Sequence, residues 1–223
     1  KKIIIPSTVT KIEYKAFDNC LSLEELIIPT SVKSIDNYVI SNCCSLKRLT
    51  IPVSLLTRKI DDHIKLLNNE NCIYENYGNP NILKMTNTIT DEKFIIKKIP
   101  TFYYSDNENE FLNRISLFNS GLPTLIPVDN YLLPLFINGE DKFTLSEIKV
   151  INEAGDTIYQ GFDGYIVVSR FIENHGTLEE IKKEYIESRG FVNNKMNPTI
   201  KHKALFGIAS TMKYLHSRRI IHG

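Results

Sequence analysis

The chain has 223 residues, 42% of them hydrophobic and 24% charged, a balance that supports one large core or two small ones and excludes a disordered or collagen-like chain. With 27 basic and 26 acidic residues the formal charge is +1, which argues against a bulk binder of nucleic acid or anionic membranes. No apolar run reaches the ~18 residues of a spanning helix, and Lys1-Lys2-Ile3-Ile4-Ile5-Pro6 is too short for a signal-peptide core, so a soluble chain is expected.

The first element is a repeat. Ile5-Pro6, Ile28-Pro29 and Ile51-Pro52 stand 23 residues apart, and Cys20/Cys43, Leu23/Leu46, Leu26/Leu49, Val9/Val32 and Ile12/Ile35 keep the same register. Leu23-x-x-Leu26-x-Ile28-Pro29 suits a short solenoid strand with alternate side chains pointing into the stack and Pro ending the strand. The pattern resembles a leucine-rich repeat of the BspA type. A stack needs ~3 or more repeats. Two repeats and a third strand therefore imply that further repeats precede Lys1 or that the following domain caps the stack.

Cys20 and Cys43 are equivalent repeat positions and read as a buried apolar column, since no His or Cys pair has zinc spacing. The absence of a usable Asn-x-Ser/Thr sequon supports a reducing, cytoplasmic setting. Beyond Pro52, Ile60, Ile64 and Leu67 have helical spacing and predict a connector helix within residues 57–70. Strand-like segments follow at Cys72-Ile73-Tyr74, Ile82 to Met85 and Phe94 to Ile99, separated by an Asn76 to Asn81 turn cluster and a Thr90-Asp91-Glu92 turn. An acidic start at Asp106 to Glu110 predicts a helix through Phe118, ended by Gly121. After the extended segment Leu122 to Val128, a hairpin insertion is predicted around Phe143 to Ile158, with no role assigned. Tyr165 to Val168 reads as a buried strand. Thr177 caps a further helix, and Leu205, Ile208, Met212 and Leu215 line one face of another ending at Ser217-Arg218-Arg219. Ile220-Ile221-His222-Gly223 reads as a returning strand.

This order, together with Ile208 to Ser217 followed by Ile220-Ile221-His222, resembles the small lobe and first helices of the large lobe of a eukaryotic protein kinase. The resemblance covers residues 71–223. The expected fold is α+β: a short leucine-rich-repeat solenoid over residues 1–56, the connector, and a kinase-like domain incomplete at its C-terminal end. Phe94-Ile95-Ile96-Lys97 matches the family's Val-Ala-Ile-Lys, which implies that Lys97 pairs with ATP phosphates. The resemblance likewise implies an ATP site from Gly78 and Leu83 of the glycine loop, Ile95 on the base, Ser169 as gatekeeper, and backbone groups of Arg170 and Ile172 at the hinge. His222 matches the catalytic-loop His that supports that loop.

Several positions depart from the family. The glycine-loop pattern keeps only Gly78 and contains Pro80, Ile95 replaces a small residue, and Arg114 stands where the family has the Glu that pairs with the lysine. Glu110, one turn earlier, is the candidate replacement partner for Lys97. Gly223 stands where Arg is common. The catalytic Asp and the metal ligands are expected beyond the chain, so no catalytic or metal residue is assigned within it. The expected function is that of a protein kinase parent transferring the terminal phosphoryl of ATP, with Mg2+, to a protein substrate. Its repeats would bind a protein partner, and the segment alone would be inactive. The alternative is a pseudokinase scaffold or an interaction module without catalysis.

Overall fold

A computed structural model describes residues 1–100, 108–119, 127–136, 145–173 and 198–217. The repeats form strands β1 (Lys2–Ile4), β3 (Glu25–Ile27) and β5 (Arg48–Pro52), paired in parallel, with β2 (Lys11–Ile12) and β4 (Ser34–Ile35) as a second, two-stranded row. Parallel stacking places Ile3, Leu26 and Leu49 in one row, and Leu23, Leu26, Ile28, Leu46, Leu49 and Ile51 are buried. The turns repeat as faithfully as the strands. Left-handed backbone recurs at Lys15 and Tyr38 (φ 58° and 60°) and at Asn19 and Asn42 (φ 57° and 55°). Asn tolerates this conformation because its short side chain bonds locally. Cys43 is fully buried and Cys20 packs against the same core, as apolar fillers of the stack. All four cysteines are free.

The strand to strand step has a recurring signature. The Lys1 carbonyl accepts from the amides of Glu24 and Glu25, and the Glu24 carbonyl accepts from Lys47 and Arg48. The Lys47 carbonyl then accepts from Ser146 and Glu147, about a hundred residues further on. Strand β10 (Glu147–Ile151) thus docks on β5 in parallel as the next repeat would, matching Glu147 to Arg48 and Val150 to Ile51. Its Leu145-x-x-Ile148-x-Val150 supplies the same inward positions as Leu46-x-x-Leu49-x-Ile51, and all six side chains are buried. The chain turns back at Gly155 (φ 90°), and antiparallel β11 (Thr157–Gly161) ends the sheet in the order β1-β3-β5-β10-β11. The hairpin expected as an insertion without a role therefore closes the repeat core, which also takes in Leu135, Phe136 and Tyr159. Residues 1–56 alone do not contain that core.

The second sheet is antiparallel: β6 (Cys72–Tyr77), β7 (Asn79–Asn87), β8 (Lys93–Ile99), β12 (Tyr165–Arg170) and β9 (Asn130–Leu132), in that spatial order. Helix α1 (Asp61–Leu67) contributes Leu66 and Leu67 to the cluster of Met85, Ile96, Ile166 and Val168 on one face. Helix α2 (Glu108–Phe118) covers the other face with Phe111 and Ile115, against Tyr165, Val167 and Ile99. Phe111 and Tyr165 stack with ring centroids 4.5 Å apart. Helix α3 (Pro198–Ser217) follows the predicted pattern, but Leu205, Phe206 and Ile208 on it are exposed. The expected helix at Thr177, the Gly121 stop and the terminal strand with His222 lie outside the described residues.

Between β9 and β12 the chain leaves the second sheet, completes the first, and returns. Asp163 holds this crossing. Fully buried, its carboxylate accepts from the Leu135 amide at 2.7 Å and the Phe136 amide at 3.3 Å. Nearby, Arg58 donates to the Pro134 carbonyl at 3.1 Å and pairs with Glu108 at the start of α2 at 2.7 Å. The Thr57 hydroxyl donates to the Leu135 carbonyl.

His63 of α1 is buried beside Tyr159, edge to face at 6.3 Å, and among the described residues neither ring nitrogen makes a hydrogen bond of sound geometry. Burial lowers its pKa from 6.5 to about 4. The unfolded chain therefore binds the extra proton first as pH falls. Stability from the neutral ring is complete above about pH 6.5 and declines toward pH 4, by about 2–3 kcal/mol at ~1.4 kcal/mol per pKa unit. Urea denaturation at pH 7 and pH 4.5 tests this: His63→Phe should lose less stability than the parent chain over that interval. An equal loss would remove His63 as the cause.

Candidate functional site

On the repeat sheet, residues that point away from the core form two rows across the strands. The first is Lys2, Glu25, Arg48 and Glu147, aligned by direct cross-strand register. Glu25 receives Lys2 and Arg48, each at 3.0 Å, and the two cations hold its pKa below the usual carboxylate value. Glu147 accepts a hydrogen bond from the Gln160 side chain of β11, and its charge and that of Glu25 raise the Arg48 pKa. Two cations and two anions cancel along this row. The second row is Ile4, Ile27, Thr50 and Lys149, with Gln160 beside Lys149. Ile4 is 63% exposed, and a surface depression is lined by Ile27, Arg48, Thr50, Glu147, Lys149 and Gln160 among others. Three of those six residues come from the β10–β11 hairpin. The sequence signal that could have found them is Leu145-x-x-Ile148-x-Val150.

The residues expected to bind ATP lie on the second sheet. Lys97 is exposed on β8 and pairs in register with Ile82 and Val167, and among the described residues no hydrogen bond or ion pair holds it. Ile95 shares its face and pairs with Ser169. That face also carries Val167, which packs with α2. Gly78 sits at the tip between β6 and β7 with φ 71°, a conformation that suits glycine. Leu83 does not join this group. Its partner is Ile96, and it packs on the opposite face with Met85, Ile96, Ile166 and Val168, so Ile82 is the β7 residue that shares the Lys97 side. The reason is register: Tyr77 pairs with Asn79 around Gly78 alone, with a shift between Asn76 and Tyr77, and a one-residue shift exchanges faces.

Arg170 pairs with Phe94 and is exposed, while Ile172 is 54% exposed beyond the strand end. Phe171 between them turns its ring toward Tyr77, centroids 5.8 Å apart, with Lys84 Nζ 5.0 Å from its centroid. Glu110 pairs with Arg114 at 2.6 Å within α2, not with Lys97. Both side chains are about half exposed, which limits the pair to about 0.5 kcal/mol. Glu110→Ala should therefore lower the unfolding free energy from urea denaturation by no more than that, and a loss above ~1 kcal/mol would contradict a surface pair.

Among the described residues no group of three His, Cys, Asp or Glu side chains could hold a metal ion, and no helix is long and apolar enough to cross a membrane. The family model for the BspA type leucine-rich repeat region (6 copies) matches residues 1–115, a little over half of the chain. No curated protein and no solved structure matches the chain.

Proposed function

Because the chain belongs to the BspA-type leucine-rich repeat family, whose repeats generally mediate protein interactions, we propose that the solvent face of β1, β3, β5, β10 and β11 docks a protein partner. The observation that carries this reading is the continuous five-stranded face, whose charged row is already fixed by Glu25 and whose second row exposes Ile4 beside a half-buried Ile27. Ordered side chains lose little entropy on binding, so such a face favours association. Partner capture by the full chain and by variants tests it. Arg48→Glu should weaken capture at least tenfold, while Lys65→Glu on α1 should leave it unchanged. The reverse pattern would defeat the reading.

A second reading concerns the other sheet, and its support is topological. An antiparallel order β6-β7-β8-β12-β9 with α2 inserted between β8 and β9, and a Lys97 on the α2 face that no hydrogen bond or ion pair holds among the described residues, support a protein-kinase-like small lobe. We propose that this sheet belongs to such a lobe. An ATP and Mg2+ site would use Lys97, Ile95, Ser169 and the Gly78 turn, and a parent enzyme would phosphorylate a protein substrate. The Glu110–Arg114 pair and the bulk of Ile95 favour the non-catalytic form, a pseudokinase scaffold. Saturating Mg-ATP at ~100 times its Kd would stabilise a binding chain by about 2.7 kcal/mol. Lys97→Ala should abolish the resulting thermal shift, and a well-folded chain showing no shift with Mg-ATP would sink the nucleotide site.

A further inference from the structure

The repeat face is neutral in its first row and carries a lone uncompensated cation in its second. Among the described residues Lys149 makes no ion pair, its row neighbours Thr50 and Gln160 are uncharged, and Glu147 on the same strand is engaged by Gln160 and by the charge of Arg48. Two strands away in the same row stands Ile27, half-buried, with exposed Ile4 beyond it. Adjacent strands are ~4.8 Å apart, so an apolar contact at Ile27 and a charge contact at Lys149 are separated by about 10 Å.

That spacing selects a backbone. In a β-conformation side chains on one side recur every ~6.7 Å, which overshoots or undershoots the gap. In polyproline II form residues i and i+3 face the same way and lie ~9.3 Å apart. We infer that this face takes an extended, polyproline-II-like peptide crossing the strands, with an apolar side chain on Ile27 and Ile4 and a carboxylate, three residues away, on Lys149. The inference rests on the docking reading above and adds the chemistry of the partner. Thr50 lies between the two contacts and offers a hydroxyl to the peptide backbone. The charged row supplies the wall along one side, where Lys2 and Arg48 are both held by Glu25.

The probes are proline-rich hexapeptides of equal length, blocked at both ends, with Leu at position two and either Glu or Lys at position five. Their binding to the full chain is followed by fluorescence anisotropy at low salt. The Glu peptide should bind at least tenfold more tightly than the Lys peptide, and the preference should shrink with added salt because the charge contact is exposed. Lys149→Glu, a surface change that leaves the core intact, should reverse the order. Equal affinity for the two peptides, an unchanged order in Lys149→Glu, or no binding of either would overturn the inference. If it fails while Arg48→Glu still weakens partner capture, the docking face stands and only the peptide chemistry is wrong. If Arg48→Glu is also silent, the docking face itself falls.

Discussion

Ile148→Asp should unfold the repeat stack and the second sheet together. Ile148 is 0% exposed in the row that continues Leu26 and Leu49, and a carboxylate there would sit among the buried apolar side chains of the repeat core. The milder Ile148→Ala removes buried methylenes and leaves a cavity, with an expected loss of about 2–4 kcal/mol, a large share of the stability of a domain this size. The expected result is specific because Ile148 lies far in sequence from the repeats it supports. If β10 were a loose insertion, Ile148→Ala would cost under ~1 kcal/mol. Urea denaturation followed by two probes, one on the repeats and one on β8 or β12, should give a single coincident transition that shifts as one.

Asp163→Ala is the second large effect. It leaves the amides of Leu135 and Phe136 without their acceptor in a site closed to water, at about 1–3 kcal/mol for each. A total near 4 kcal/mol is expected, and Asp163→Asn should cost less because one acceptor oxygen remains. Burial pushes the Asp163 pKa from 3.8 up to about 7, against the opposing pull of the Leu135, Phe136 and Gly164 amides and of Arg58. A raised folded-state pKa means that this group's contribution is complete below pH 3.8 and is lost as pH rises through about 7. The stability gap between the parent chain and Asp163→Asn should therefore narrow from pH 5 to pH 8. A widening gap would show that the carboxylate is more stable ionised than neutral in the fold.

These two residues mark where reading the sequence reached its limit. The 23-residue register was legible because identical positions recur in a stack, and it led directly to β1, β3, β5 and the buried Leu23, Leu26, Leu46 and Leu49. Helices α1 and α2 and strands β6 to β8 were legible from period and turn residues. The β10–β11 hairpin was legible around Phe143 to Ile158, but its pairing with β5 was not, because Leu145-x-x-Ile148-x-Val150 has the inward positions of a repeat but neither its Cys nor its Pro, and lies about a hundred residues from the strand it joins. A local pattern cannot report a long-range parallel pairing. At the candidate nucleotide face, strand alternation places Lys97 and Ile95 on one side. The face of Leu83 depended on the β6–β7 register, which reading Asn76 to Asn81 as one open turn could not fix. The partner face was legible only as the repeats themselves, up to strand β5. Glu147, Lys149 and Gln160 complete it from the hairpin.

Residue-resolved hydrogen exchange on the full chain is the most direct measurement of the shared sheet. The amides of Ser146 and Glu147, bonded to the Lys47 carbonyl, and those of β10 should exchange as slowly as the amides of β3 and β5 and with the same dependence on denaturant. Fast exchange across residues 146–151 alongside protected β3 and β5 would contradict a repeat sheet completed by β10, and with it the composite docking face.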